Sequence, residues 1–178
     1  MRPMRSFVAI LVLMFAAAPL LAQKVKPDPL TPAQAQKIAE AGIDPPGRIE
    51  LFTKFLNEHA DEIAKLAKRA GTPARNHRIN DTLENFTALM DELGDNLDMY
   101  SDRKADLRKA LKPLDKAIQH WQEILQGLPG DPGFQIARTD AIASSNDLAD
   151  QTKQLIQDQD TYFKEHKKQA GQERAEPE

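Results

Sequence analysis

One apolar register runs through the middle of this chain: Ile79, Leu83, Phe86, Met90, Leu93, Leu97, Tyr100, Lys104, Leu107, Leu111, Leu114, Ile118, Trp121, Leu125 and Leu128. The steps alternate between three and four, and Lys104 is the single polar intruder. This spacing draws one apolar stripe along a helix and, sustained over several heptads, calls for helix-on-helix packing. A second seam precedes it (Ile49, Phe52, Leu56, His59, Ile63, Leu66, Ala70). A third follows it (Phe134, Ala137, Ala141, Leu148, Leu155, Tyr162). The expected fold class is all-α.

Capping residues and breakers divide the chain. Thr31 and Pro32 open a short helix that Gly42 closes. Asp44-Pro45-Pro46 opens a second, which ends before Gly71. Thr72-Pro73 starts the next segment, Gly127-Leu128-Pro129-Gly130 is a turn, and Asp131-Pro132 opens a last helix reaching about Lys168. Gly94 and Pro113 lie inside the central register, where they cost about 1 and about 3 kcal/mol in a helix, and Pro113 is expected to kink it. The expected organisation is a signal peptide (1–22), a linker with a short helix (23–44), a helical domain (45–168) and a disordered tail (169–178).

Two architectures satisfy this pattern. In one, residues 73–127 form a single kinked helix roughly 80 Å long, with antiparallel helices folded back on either half. In the other, the chain breaks near 101–103, where Ser101 or Asp102 could cap a new helix, and four helices form an up-down-up-down bundle. Two features favour the long helix. The register is unbroken, and folding the last helix back about residues 129–130 sets Asp95 opposite Lys164 and Asp91 and Glu92 opposite Lys167 and Lys168. That arrangement leaves apolar seam uncovered at Ile79, Leu83, Leu114, Ile118 and Trp121, which invites homodimerisation.

The N-terminus adds a destination. Arg2 and Arg5 precede an apolar run from Phe7 to Leu21, followed by Ala22, the pattern of a cleavable signal peptide. That run spans about 22 Å as a helix, short of the roughly 30 Å hydrocarbon core. Cleavage after Ala18 would meet Pro19, so Ala22 is the expected site, leaving Gln23 first. There is no twin arginine, and no cysteine follows that could carry lipid. A periplasmic or secreted protein with no stable membrane span is expected.

The whole chain carries a net charge of −3, and loss of Arg2 and Arg5 makes the mature chain more acidic, which argues against nucleic-acid binding. The absence of cysteine excludes thiol catalysis, iron–sulfur clusters and c-type haem. No Gly-x-Ser-x-Gly elbow surrounds Ser101, Ser144 or Ser145, and phosphate-binding Gly-rich loops and H-E-x-x-H are missing too. A non-enzymatic protein without a cofactor is the expectation. It would act by binding another protein, an anionic envelope component or its own copy.

Three clusters could still carry chemistry. His59 with Glu62, and His120 with Glu123, each place an imidazole and a carboxylate on one helix face, the raw material of a metal- or haem-binding bundle. Di-iron bundles, however, use the order Glu-x-x-His with further inward glutamates. Asp91, Asp95, Asp98 and Asp102 line one helix face, where a solvated surface or pairing with the last helix's lysines is expected over a cation site. Lys65, Lys68, Arg69, Arg75, His77 and Arg78 form a run without acids between Ile63 and Asn80, a candidate anion-binding patch. The helix dipole accounts for Lys65, Lys68 and Arg69 but opposes Arg75 and Arg78 at the start of the next helix.

Leu30-Thr31-Pro32-Ala33-Gln34 resembles the LTxxQ motif of Spy/CpxP-type periplasmic proteins. The resemblance implies a small, exported, helical stress chaperone or sensor. Thr-x-x-Gln is also a helix capping box.

Overall fold

The computed structural model describes residues 28–167 and Ala170. The expected signal peptide and most of the expected tail lie outside the described residues. The rest is all-α: α1 (Pro32–Glu40), α2 (Pro45–Ala67), α3 (Pro73–Asp102), α4 (Arg108–Gln126) and α5 (Gln135–Glu165). Among the described residues, no helix is long and apolar enough to cross a membrane.

Three helices start where the capping residues direct, whereas α5 begins at Gln135 with Phe134 as its N-cap and no capping side chain, not at Asp131-Pro132. Thr31, Asp44 and Thr72 each stand in extended backbone and accept a hydrogen bond from the N–H three residues on, with proline in the first turn that follows. Gly42, at φ 57°, provides the left-handed residue that turns α1 into α2.

The central helix is broken. The single helix favoured over residues 73–127 gives way to α3 and α4, joined by Arg103–Leu107. Lys104 takes φ 57°. Its N–H bonds the Ser101 carbonyl (2.9 Å), and the Ala105 N–H bonds the Tyr100 carbonyl (3.0 Å). These are the paired bonds of a Schellman cap, which usually takes glycine at its left-handed position. A lysine there leaves no breaker in the sequence.

A residue 52 positions away completes the break. The Gln159 carboxamide, 6 % exposed, donates to the Ala105 carbonyl (2.8 Å) and accepts from the Leu107 N–H (2.7 Å). Leu107 opens α4 without a side-chain cap of its own, so Gln159 serves as that cap from across the molecule.

The break yields two antiparallel hairpins, α2–α3 and α4–α5, laid side by side. Each helix from α2 onward reverses the direction of the one before. In the first hairpin Arg48 meets Asn96 and Glu62 meets Arg78. In the second, Gln122 meets Asn146 and the Leu125 carbonyl meets Arg138. Between hairpins the numbers rise together: Asn76 meets Asp131, Asp91 meets Ser144, and Gln151 meets Asp98. Hence α3 runs parallel to α5, and α2 to α4. The antiparallel match of Asp95 with Lys164, and of Asp91 and Glu92 with Lys167, is therefore not formed, and Lys168 lies outside the described residues. Asp91 and Asp98 bond Ser144 and Gln151 instead.

The two middle helices face each other across the core, where the Phe86 and Trp121 rings meet edge to face at 5.6 Å. The Trp121 indole N–H finds Asn57 Oδ1 at 2.7 Å. Room for these rings comes from α5, whose buried face is small at Ala137, Ala141, Ser145, Ala149 and Thr152; large and small residues interlock.

The seams expected to be exposed are consumed. Ile79, Leu83, Leu114, Ile118 and Trp121 are fully buried, so uncovered seam does not supply a dimer interface. In α2, His59 falls outside the core and Phe55 and Ala60 enter it, while Ala70 lies exposed beyond the end of the helix. In α5, Phe163 is buried in place of Tyr162. Gly94 has a tertiary purpose: the Gln151 side chain donates to its carbonyl at 3.0 Å, and a Cβ there would sit 3.3 Å from Gln151 Oε1.

Gln159→Ala is expected to cost about 2 kcal/mol, because it orphans one buried donor and one buried acceptor. Urea denaturation measures the loss. Hydrogen exchange should localise the added opening to Ala105–Leu107.

Candidate functional site

Of the run of positive charge between α2 and α3, Arg75 alone is partly buried and committed to internal contacts, while Lys65, Lys68, Arg69, His77 and Arg78 are exposed. Arg75 Nε donates to the Leu66 carbonyl (3.1 Å) and Nη2 to the Ala67 carbonyl (3.2 Å), closing the end of α2. Its guanidinium also reaches Asn76 Oδ1 (2.9 Å) and lies 5.9 Å from the Phe134 ring centroid. Positive charge at the start of α3 is thus placed for the negative end of α2. Arg78 and Lys65 converge on Glu62 at 3.1 and 3.8 Å, and His77 sits 3.5 Å from Asp81. Lys68 and Arg69 remain exposed beside the end of α2.

The same device recurs in the other hairpin. Arg138, in the first turn of α5, donates from Nε to the Leu125 carbonyl and from Nη2 to the Gln126 carbonyl, both at 2.9 Å. Asn76 donates to Asp131 Oδ2 at 2.7 Å, and Asp131 Oδ1 accepts from the Gly133 N–H. This end of the bundle is tied by arginine forks and one inter-hairpin bond.

The histidines are placed apart in function. His120 is exposed, 3.8 Å from Glu123. His59 is partly buried at the other edge of α2, where its ring bonds the Pro29 backbone, and its Nε2 is buried without a partner. Glu62 is engaged by Arg78 and Lys65. Among the described residues, no three His, Cys, Asp or Glu side chains converge in a way that could hold a metal ion.

Burial lowers the pKa of His59 against the smaller upward pull of the Pro29 carbonyl and Glu58. Where the N-terminal segment meets α3, burial and the nearby Asp28 raise the pKa of Glu92, opposed by Arg48.

Asp91 of the acidic stripe lies in the wall of a surface groove. Thr87, Met90, Asp91 and Gly94 of α3 face Asp140, Ser144, Asp147 and Gln151 of α5 around a depression of about 500 Å³. The Ser144 hydroxyl donates to Asp91 at 2.6 Å. From residue 79 to 102, α3 carries Asp81, Glu84, Asp91, Glu92, Asp95, Asp98 and Asp102 and no Lys or Arg. Beside it α5 adds Asp140, Asp147 and Asp150 before its first lysine, Lys153. On α4, by contrast, Lys109, Lys112 and Lys116 form an exposed ridge. The fold sorts its surface by sign, and a groove that places aspartates on both rims can receive a positively charged segment.

A second depression, of about 390 Å³, lies where α5 passes the α3–α4 break, lined by Ser101, Lys104, Gln159 and Tyr162 among others. Tyr162 stacks on His166 at 4.2 Å, and the Arg108 guanidinium sits 4.6 Å from the Phe163 centroid. Nothing in the sequence pattern singled out this pocket, because Lys104 marks only a polar position within the central seam and Gln159 lies off the apolar face read for the last helix.

The Leu30–Gln34 motif acts as a capping box: Gln34 N–H donates to Thr31 Oγ1 (3.3 Å), and Thr31 N–H donates to Gln34 Oε1 (2.9 Å). Leu30 is buried and Ala35 packs against the core, the staple that accompanies such a cap.

Arg75→Ala should cost about 1.5–3 kcal/mol in thermal or urea unfolding through the lost charged hydrogen bonds, and Arg75→Lys should not restore it, because an ammonium cannot fork to two carbonyls. Lys68→Ala and Arg69→Ala should stay within about 0.5 kcal/mol.

For His59, the depressed pKa means that the folded state favours the neutral ring. Its stabilising contribution is complete above pH 6.5, the ordinary value, and is lost as pH falls below it toward the folded value. Glu92 acts in the opposite sense in the carboxylate range, gaining stability as pH falls through its raised value. Unfolding free energies at pH 7.5 and 5.5 should therefore drop more for the wild type than for His59→Gln.

No family model, curated protein or solved structure matches the chain.

Proposed function

We propose that this protein is exported and non-enzymatic and acts by binding a macromolecular partner through its charged helical surface. The observation that carries this reading is the acidic α3–α5 face. Its aspartates occupy both rims of one groove, and residues 79–102 contain no Lys or Arg to neutralise them. Like charges gathered on one face repel each other and weaken the fold, so a partner of opposite sign gains what the fold forgoes. The apolar seams are spent on the core, which leaves charge and shape for recognition. Export rests on Arg2, Arg5 and the apolar run before Ala22. A basic segment of another envelope protein is the partner class that the acidic groove fits best.

Asp95→Lys/Asp147→Lys replaces two exposed carboxylates of this face. It should leave the unfolding midpoint close to the wild type and abolish affinity capture of the partner from the envelope fraction. Wild-type capture should weaken steeply as salt rises. Equal capture by both proteins would remove this face from the function.

A further inference from the structure

The N-terminal arm, residues 28–41, is an attachment to the bundle rather than part of it. Among the helices, α1 packs on α2 alone. The arm buries two large apolar side chains, Leu30 and Ile38, and makes two polar attachments to α2: Gln34 Nε2 to Glu58 Oε2 (3.0 Å) and the Pro29 backbone to His59.

The polar contacts of the arm fall on Glu58 and His59, one turn beyond Phe55, which is 1 % exposed although it falls off the α2 seam. Departure of the arm exposes Leu30 and Ile38 to water.

The arm is also self-sufficient. The Thr31–Gln34 capping box and the Gln36–Glu40 hydrogen bond (2.7 Å) lie within it, so α1 keeps its local supports when it leaves α2. A single tight turn holds it in place, with Gly42 at φ 57° and the Asp44 N–H on the Ala41 carbonyl (3.1 Å). Pro45 and Pro46 prevent α1 and α2 from merging into one helix when that turn opens.

We infer that the arm exchanges between two copies of this chain, each α1 seating on α2 of the other copy where Glu58 and His59 receive the arm in the single chain. The occupant is fixed by identity. A second copy's arm remakes every attachment that the first one breaks, and the exposed apolar surface has no equally matched alternative. Exchange then requires that the arm's contacts with α2 release and that the 41–44 turn open, and a short hinge loop is the usual site of such swapping. This interface does not depend on the acidic groove and can be tested apart from it.

The chain has no cysteine, so introduced thiols report cleanly. Copies carrying Gln34→Cys alone are mixed with copies carrying Glu58→Cys alone and treated with a short bismaleimide. The double variant Gln34→Cys/Glu58→Cys confirms that the two sites can be bridged within one copy. Covalent mixed dimers should form about tenfold faster than with Gln34→Cys and exposed Gln119→Cys as partners, because docking raises the effective concentration of the two thiols.

Gly42→Ala strains the closed turn, since an L side chain resists positive φ, and should raise the exchanged fraction about tenfold. Light scattering should then show mass moving from monomer toward dimer. If the Gln34→Cys/Glu58→Cys mixture crosslinks no faster than the control pair and Gly42→Ala scatters as a monomer, the exchange is wrong.

Discussion

The architecture depends on one carboxamide. Gln159 holds the Ala105 carbonyl and the Leu107 N–H at the point where α3 ends and α4 begins, and so stabilises a turn that places two helices diagonally across one core. A continuous helix over the same residues would extend each half of the seam into solvent. With the turn fixed, Phe86 and Trp121 meet in the interior and the small face of α5 closes over them. Burial of an amide costs free energy unless its donors and acceptors are matched, and here each half of the Gln159 group is bonded to the backbone it orders.

The opposite end of the bundle solves the same problem with charge. Helix ends leave carbonyls without partners. Arg75 and Arg138 supply them from the first turns of α3 and α5. With the apolar seams buried and Arg75 engaged at the end of α2, the exposed charge is segregated, acidic along α3 and α5 and basic along α4 and the α2–α3 turn. The proposed binding role rests on that exposed charge. The arm of residues 28–41 is held to α2 by few bonds.

The capping signals were legible because their physics is local. Thr31, Asp44 and Thr72 each satisfy an N–H three residues away, and the following prolines have a fixed φ suited to a first turn. The core faces of α3 and α4 were legible for the same reason, since period alone selects them. The α3–α4 break was not. Its left-handed position carries lysine rather than glycine, and seven residues separate Tyr100 from Leu107, so the heptad phase continues through a turn that contains no heptad. The basic run was visible as composition, but its purpose was not, because the carbonyls that Arg75 serves belong to the preceding helix.

The sequence by itself determined that the described chain is helical, where most of its helices begin, and which stripe of α3 and α4 turns inward; these are properties of spacing and of groups a few residues apart. Only the tertiary structure decided that the central stripe belongs to two helices rather than one, that α3 runs parallel to α5, and that Phe55 replaces His59 among the buried residues of α2. Each of those outcomes rests on groups far apart in the chain, with Gln159 and Leu107 52 positions apart and Trp121 and Asn57 64 apart. The free energy of such contacts exists only once the chain has brought them together.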